Sequence, residues 1–187
     1  TGVQLGKKVP VCEEEGLALS FDTRSGKIEL FSEDLKNLGF HPIPEYVPQD
    51  DAPNGMFRLL FGRAPMHTFG RTTNNRFLSQ TYPENEVWIH PKTARALPGF
   101  EDEVLSTGDR VVLVNQDEVK SLPIKVRVTE RIRGDCVYMV HGWGHNAKKM
   151  RYAHKRGASD SDLVTRYKVD PIMGGTGMNV NFVRIER

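Results

Sequence analysis

The chain has 187 residues, 38% of them hydrophobic, with 26 basic residues against 24 acidic ones and a formal charge of +2. That is enough apolar material for one domain with a proper core, or one domain and an arm. The interspersed, nearly balanced charge supplies no field for nucleic acid or an anionic membrane surface, and no apolar run approaches the about 20 residues of a membrane span.

The chain opens at Thr1 without the apolar segment of a signal peptide, which suits a processed or cut chain. Cys12 and Cys136 are far apart and make no disulfide framework, so both are expected reduced. The 17 glycines and 11 prolines favour a β-rich fold with many turns over a helix bundle.

Lys7 to Cys12 is a weak strand candidate, and Glu13-Glu14-Glu15 reads as a solvated face. Ser25-Gly26 lies between two short apolar segments and predicts a hairpin over 21–31. Ser32 is placed to cap a helix from Glu33 to Leu38, with Gly39 as its stop. Pro42, Pro44, Pro48 and Pro53 forbid regular structure between His41 and Gly55. The expected organisation is an N-terminal arm or linker over 1–55 and a β domain over 56–187.

Phe57, Leu59 and Phe61 alternate with Arg58 and Leu60, a strand pattern that runs into Gly62-Arg63. A polar loop follows with His67, Thr68, Arg71, Thr72, Thr73, Asn74 and Asn75. Guanidinium, hydroxyl, amide and imidazole groups at this density suit a polyanionic ligand rich in hydrogen-bonding groups, such as a nucleotide or pterin phosphate. The plainer reading is a solvated loop after a strand, with Arg63 in a surface ion pair.

Further on, 75–82 reads as a short helix or irregular turn, Glu86–His90 as a strand ending at Pro91, and Thr93–Leu97 as a short helix stopped by Pro98-Gly99. Thr107-Gly108-Asp109 turns into the β-rich run 110–114, and Asn115 to Glu118 turns again. Ile124, Val126 and Val128 alternate with Lys125, Arg127 and Thr129, a strand with one buried face. Arg133-Gly134-Asp135 turns into a strand over 136–140. The next segment, His141-Gly142-Trp143-Gly144-His145, has glycines that admit close backbone approach. Cys136, His141 and His145 form C-x4-H-x3-H, which lacks a fourth ligand for zinc.

Lys148, Lys149, Arg151, Lys155 and Arg156 make 146–156 basic, but no aromatic groove or recognition helix accompanies them, so a solvated, mobile loop is expected. Ser159 or Asp160 is placed to cap a short helix. Gly174, Gly175 and Gly177 form a glycine-rich turn without a phosphate-loop spacing, and Asn179 to Ile185 closes the domain as a strand.

The ordered set GRAPMHTFGRTTNN, SGKIELFSEDL, GASDSDL and GGTGMNVNF resembles the C-terminal molybdopterin-dinucleotide-binding domain of the dimethyl-sulfoxide-reductase superfamily. It is most similar to catalytic subunits of thiosulfate and polysulfide reductases, and the resemblance runs from Ser25 to Glu186. It implies a mainly β fold with short helices, a double-psi β-barrel of the aspartate-decarboxylase-like type, behind an extended N-terminal arm. The parent would hold molybdenum between two molybdopterin guanine dinucleotides and reduce a sulfur–sulfur bond. Its metal ligand and iron–sulfur cysteines would lie in other domains, so this chain alone is expected to have no turnover and to bind no molybdenum.

By the resemblance, Gly62, Arg63, His67, Thr68, Arg71, Thr72, Thr73, Asn74, Trp143 and Asn179 would grip the dinucleotide. Arg63 and Arg71 would meet phosphate or pterin oxygens, and His67 would hydrogen-bond the pterin. The His141-Gly142-Trp143 turn would lie against its buried end, although Trp143 also reads as a core aromatic. The partners implied are the remaining domains of the subunit, an iron–sulfur electron-transfer subunit and a membrane anchor, on the periplasmic or exported face of the cell. A stand-alone β-barrel interaction module without molybdenum is the competing reading. Formate, nitrate and arsenate enzymes share the domain.

Overall fold

The computed structural model describes residues 2–4, 7–9, 21–97, 100 and 104–187. The chain divides into two compact units, Thr1–Pro48 and Gln49–Arg187.

In the first unit, strands β1 (Gly2–Gln4) and β2 (Lys7–Val9) pair antiparallel. Helix α1 (Glu33–Asn37) is capped by Ser32, whose hydroxyl accepts from Leu35 N at 3.2 Å, and Gly39 follows at φ +82°. The hairpin expected over 21–31 is a turn without strands. Ser25 N donates to Glu29 Oε1 at 2.9 Å and Thr23 Oγ1 donates to Lys27 O at 2.7 Å. These local side-chain bonds use the groups that a strand ladder would need. The proline-bearing stretch 41–55 carries no helix or strand. Glu13 to Glu15 and Cys12 lie outside the described residues.

The second unit is a closed six-stranded barrel. Its strands are β3 (Phe57–Gly62), β4 (Glu86–Ile89), β5 (Arg110–Asn115), β6 (Ile124–Val128), β7 (Cys136–Val140) and β10 (Phe182–Glu186). Around the barrel they run β10-β3-β7-β4-β6-β5, and β5 closes on β10. The pairs β3–β7 and β4–β6 are parallel and the other four are antiparallel. Closure leaves the barrel strands without a free edge.

Leu59, Val87, Ile89, Leu113, Ile124, Val126, Val137, Met139 and Val183 are fully buried in the core. On β6 the buried side chains are Ile124 and Val126, the face that the alternation predicts. Strand β7 is covered on both faces, because Val140 packs outward in a second cluster with Ala64 and Trp143. Cys136 is buried with a free thiol.

Short helices fill the connections: α2 (Arg76–Thr81), α3 (Pro91–Ala96) and α4 (Asp160–Leu163). Asn75 caps α2 by accepting from Phe77 N and Leu78 N, and α3 has Pro91 in its first turn. The stop expected at Pro98-Gly99 lies outside the described residues. Ser159 caps α4, its hydroxyl accepting from Asp162 N at 3.3 Å, so the Asp160 carboxylate is not used as a cap.

Two buried asparagines hold the connections that the barrel cannot. Asn115 Nδ2 donates to Leu163 O, and its Oδ1 accepts from Asp117 N and Val119 N. Asn181 Oδ1 accepts from Thr165 N and Arg166 N, while its Nδ2 donates to Arg166 O and Met178 O. Asn181 therefore roots both ends of the exposed hairpin of β8 (Lys168–Val169) and β9 (Thr176–Gly177).

Candidate ligand groove

Because β3 and β7 are parallel, both release their following loops at the same end of the barrel. Gly62 is in register with Val140, and His141 N donates to Gly62 O at 2.8 Å. Loops at such strand ends are where a rigid scaffold displays binding groups.

Three adjoining cavities lie there. The largest, about 550 Å³, is lined by Phe61, Gly62, Arg63, Phe69, His141, Asp160, Ser161, Val164 and Met178. A second, about 360 Å³, shares His141, Asp160 and Ser161 with it and adds Gly70, Gly142 to Asn146, and Ser159. A third, about 280 Å³, shares Phe61 and Met178 and is walled by Gln49 and 176–180.

The loop backbones meet closely. Gly142 has φ +105°, and a Cβ there would sit 2.5 Å from Gly70 N and 2.7 Å from Phe69 C. Phe69 itself is held at φ +50°, a left-handed conformation that costs on the order of 1 kcal/mol in a residue with a side chain. Its ring lies under the Arg63 guanidinium at 4.9 Å and meets the His141 ring edge-on at 5.5 Å. Arg63 has no acidic partner among the described residues, so its charge is available to a ligand.

His141 is fixed from behind. Its Nδ1 lies 2.9 and 2.8 Å from the two Asp160 carboxylate oxygens, and the Asp160 side chain is only 4% exposed. A further strut holds this arrangement. Asn85 is fully buried, and its Nδ2 donates to Val140 O at 2.7 Å and Ala158 O at 2.9 Å. Ala158 N donates back to Asn85 Oδ1 at 3.0 Å. The end of β7 and the segment leading into α4 are thereby locked together, which carries His141 to Asp160.

The residues expected at the site do not all reach the cavities. Gly62 and Arg63 line the main cavity, Trp143 the second and Asn179 the third. The others line none of the three. His67 is 7% exposed, with Nδ1 at 3.1 Å from Thr72 Oγ1 and Nε2 at 3.0 Å from Tyr82 O. Tyr82 O can only accept, so Nε2 carries the proton and Thr72 donates to Nδ1. Both ring nitrogens of His67 are therefore engaged inside the protein.

Thr72 also accepts from Thr68 N at 2.8 Å. Thr73 Oγ1 donates to Gly70 O at 2.9 Å, leaving its lone pair to accept from His145 Nε2 at 3.1 Å. Asn74 Oδ1 accepts from Tyr152 N at 2.8 Å. These groups form a frame behind the groove. Arg71 is exposed, and its side chain has no partner among the described residues.

Trp143 packs edge-on against His67 at 5.0 Å and against Tyr82 at 5.2 Å. Burial first, then the charge of Glu86, pushes the Tyr82 hydroxyl up to about 12. The neutral form is the one that folding favours, so this contribution to stability is present below the ordinary tyrosine range and is lost as pH rises through the raised value. A spectrophotometric titration at pH 11 is expected to leave Tyr82 un-ionised, and Tyr82→Phe should remove one late-titrating phenol.

The basic loop 146–156 is fastened rather than loose. Lys155 N donates to His145 O, Gly144 N donates to Arg156 O, and Ala153 is buried. The anchoring groups are Asn74 and backbone, which composition alone does not reveal. No group of three or more His, Cys, Asp or Glu among the described residues could hold a metal. Cys136 and His141 sit at opposite ends of β7, about 16 Å apart at 3.3 Å per residue, so they cannot share a zinc ion. Sequence reading left Phe69, Asp160, Ser161 and Met178 off the site. The pairing of His141 with Asp160 has no local signal, because it depends on the Asn85 strut.

A closed barrel with two adjacent parallel pairs, and a groove at the shared end of β3 and β7, defines a double-psi β-barrel. The family model described as the molydopterin dinucleotide binding domain matches residues 57–182, and the chain belongs to that family. It is 32% identical over 167 residues to the thiosulfate reductase molybdopterin-containing subunit PhsA of Salmonella typhimurium, covering 85% of this chain and 20% of that protein. The chain thus spans about a fifth of that relative. Among solved structures it is similar to acetylene hydratase from Pelobacter acetylenicus, with TM-score 0.66 and 18% identity over 90% of this chain and 24% of that one. This likeness bears on the fold alone.

The residues present fit a pterin dinucleotide. Phe61, Phe69, Val164 and Met178 offer flat or apolar walls, Ser161 a hydroxyl, and Arg63 an unneutralised guanidinium for phosphate.

Proposed function

We propose that this chain is the dinucleotide-gripping domain of the catalytic subunit of a molybdenum bis(pterin guanine dinucleotide) oxidoreductase that reduces a sulfur–sulfur bond in thiosulfate or polysulfide. The observation that carries the reading is the Arg63 guanidinium stacked on Phe69 beside the shared end of β3 and β7. The choice of substrate is supported by the 32% identity to a thiosulfate reductase subunit.

When bound, the cofactor supplies the two-electron redox chemistry. The residues of this chain bind and orient it. Arg63 and Ser161 meet its charged and polar edges, Gly62 lines the main cavity, and Asn179 borders the far one. Thr68, His67, Thr72, Thr73, Asn74 and Trp143 hold the loop that carries Phe69, and Arg71 extends the cationic rim. Molybdenum and an iron–sulfur cluster would be held by other domains of the subunit. An iron–sulfur electron-transfer subunit and a membrane anchor, on the periplasmic or exported face, complete the proposed assembly.

In the full-length subunit, Arg63→Ala is expected to lower pterin retention about tenfold or more, the loss of one charge-assisted bond worth about 1.5–3 kcal/mol. The double variant Arg71→Ala, Thr72→Ala should lower it as well. Pterin content is read by fluorescence after oxidation, and unchanged content in all variants would count against the groove. GMP released on acid hydrolysis tests the guanine form. Thiosulfate reduction with a reduced dye tests the substrate.

A further inference from the structure

We propose that the β8–β9 hairpin is a docking knob, whose apolar tip seats in an apolar recess on the remaining domains of the same catalytic subunit. The inference rests on the reading above that this chain is one domain of such a subunit, and it names a surface by which the domain is held there.

The hairpin stands clear of the barrel core. All four residues of β8 and β9 are exposed, and a two-stranded ribbon is marginal without something to pack against. Large apolar side chains are nevertheless gathered on it: Tyr167 is 66% exposed, Val169 56%, Ile172 42% and Met173 84%. Single exposed apolar residues are ordinary, but several on one short projection mark an interaction surface.

The tip is braced. Asp170 Oδ1 accepts from Ile172 N at 3.0 Å and from Met173 N at 2.6 Å. Gly174 N donates to Asp170 O at 3.0 Å, and Asp170 N donates to Gly175 O at 2.8 Å. At the root, Asn181 binds main-chain groups of Thr165, Arg166 and Met178. A projection held in this way has already lost much of the freedom that ordering a loop at an interface would cost.

Charge decides what kind of surface covers it. Arg166, Lys168 and Asp170 are the charged residues between Arg166 and Met178, and each is engaged inside the domain. Arg166 pairs with Asp117, Lys168 with Asp50 at 2.6 Å, and the Asp170 carboxylate serves the turn. The tip is therefore suited to an apolar polypeptide surface, not to nucleic acid, an anionic membrane or a partner selected by charge. Apolar contacts of this kind belong to permanent interfaces more than to the small ones of transient electron transfer. The chain spans 20% of the thiosulfate reductase subunit to which it is similar, so most of such a subunit is left to supply the covering surface. The hairpin also adjoins the groove, because Met178 lines the main cavity and 176–180 wall the third. A surface seated on the tip borders the same ligand.

Methionine oxidation by dilute hydrogen peroxide, read residue by residue by mass spectrometry, tests the docking on the 187-residue chain and on the full-length subunit. Met173 is expected to oxidise readily in the chain and about tenfold more slowly in the subunit, with buried Met139 slow in both. Met173 lines none of the three cavities of the groove, so the same protection is expected in a subunit freed of its cofactor. Met173→Glu should leave the Tm of the chain unchanged and lower that of the subunit by roughly 5 °C, because only the subunit buries the new charge.

Equal oxidation of Met173 in chain and subunit, or an unshifted Tm in the Met173→Glu subunit, would overturn the docking. Protection that arises in the chain alone as its concentration rises would also overturn it and assign the tip to a second copy. Protection that needs an added partner subunit would overturn it in favour of that subunit. A freely oxidised Met173 in a subunit whose Arg63→Ala variant loses its pterin would reject this inference and keep the proposed function. A protected Met173 with pterin content unchanged in Arg63→Ala would do the reverse.

Discussion

Replacing Asn85 by Ala is expected to destabilise the barrel domain by about 3–5 kcal/mol, lowering Tm by roughly 6–20 °C at about 2–4 °C per kcal/mol. The side chain is fully buried and makes three bonds, to Val140 O, Ala158 O and Ala158 N. Its removal leaves these main-chain groups out of water and without partners, each worth about 1–3 kcal/mol. Asn85→Asp is the sharper variant. It keeps the shape and the acceptor toward Ala158 N but turns an anionic oxygen toward two carbonyls, so it should be at least as damaging at neutral pH. Gly157 is bound into the same site, since a Cβ there would lie 2.0 Å from Asn85 Oδ1. Denaturant unfolding of the two variants measures the effect, and a loss below about 1 kcal/mol in both would remove Asn85 from its assigned role.

Gly142→Ala is expected to be the most damaging single change to ligand retention, at about 2–4 kcal/mol of stability. The new methyl would meet Gly70 N at 2.5 Å and Phe69 C at 2.7 Å. Both are main-chain atoms, so no side chain can swing aside. The β7 loop must then part from the β3 loop, which separates Phe69 from His141 and opens the groove. Gly108→Ala is the matched control, because its φ of +107° is nearly the same and nothing lies within 4 Å. The control should show only the backbone penalty of about 1 kcal/mol. In the full-length subunit, pterin should be lost from Gly142→Ala and kept by Gly108→Ala. Equal retention in both would mean that the loop contact does not shape the site.

The local elements were written plainly in the chain. Alternation marks Phe57–Gly62 and Ile124–Val128 as strands, and Ser32 with Gly39 brackets α1, because these signals depend only on neighbours within a few residues. The segment around Ser25 misleads for the same reason turned round: short-range bonds from Thr23 and Glu29 outcompete the ladder. Register and groove depend on long-range pairing that no window shows. Nothing near Gly62 announces Val140 as its neighbour, and nothing near His141 announces Asp160. The density of polar groups in the loop after β3 was legible, but not which of them face a cavity. That His67, Thr72 and Thr73 turn inward to support it, while Phe69 turns outward, follows only from the packing of Trp143 and Tyr82 behind them.

The parallel pairing of β3 with β7 has a temporal corollary. Phe61 stands near the start of the barrel domain and Met178 near its end, yet both border the same cavity. A ribosome-bound chain that has emerged only as far as β7 possesses one flank of the cradle and not the other. Loading of the dinucleotide therefore belongs after synthesis and closure of this domain, onto a finished receptacle rather than a nascent one.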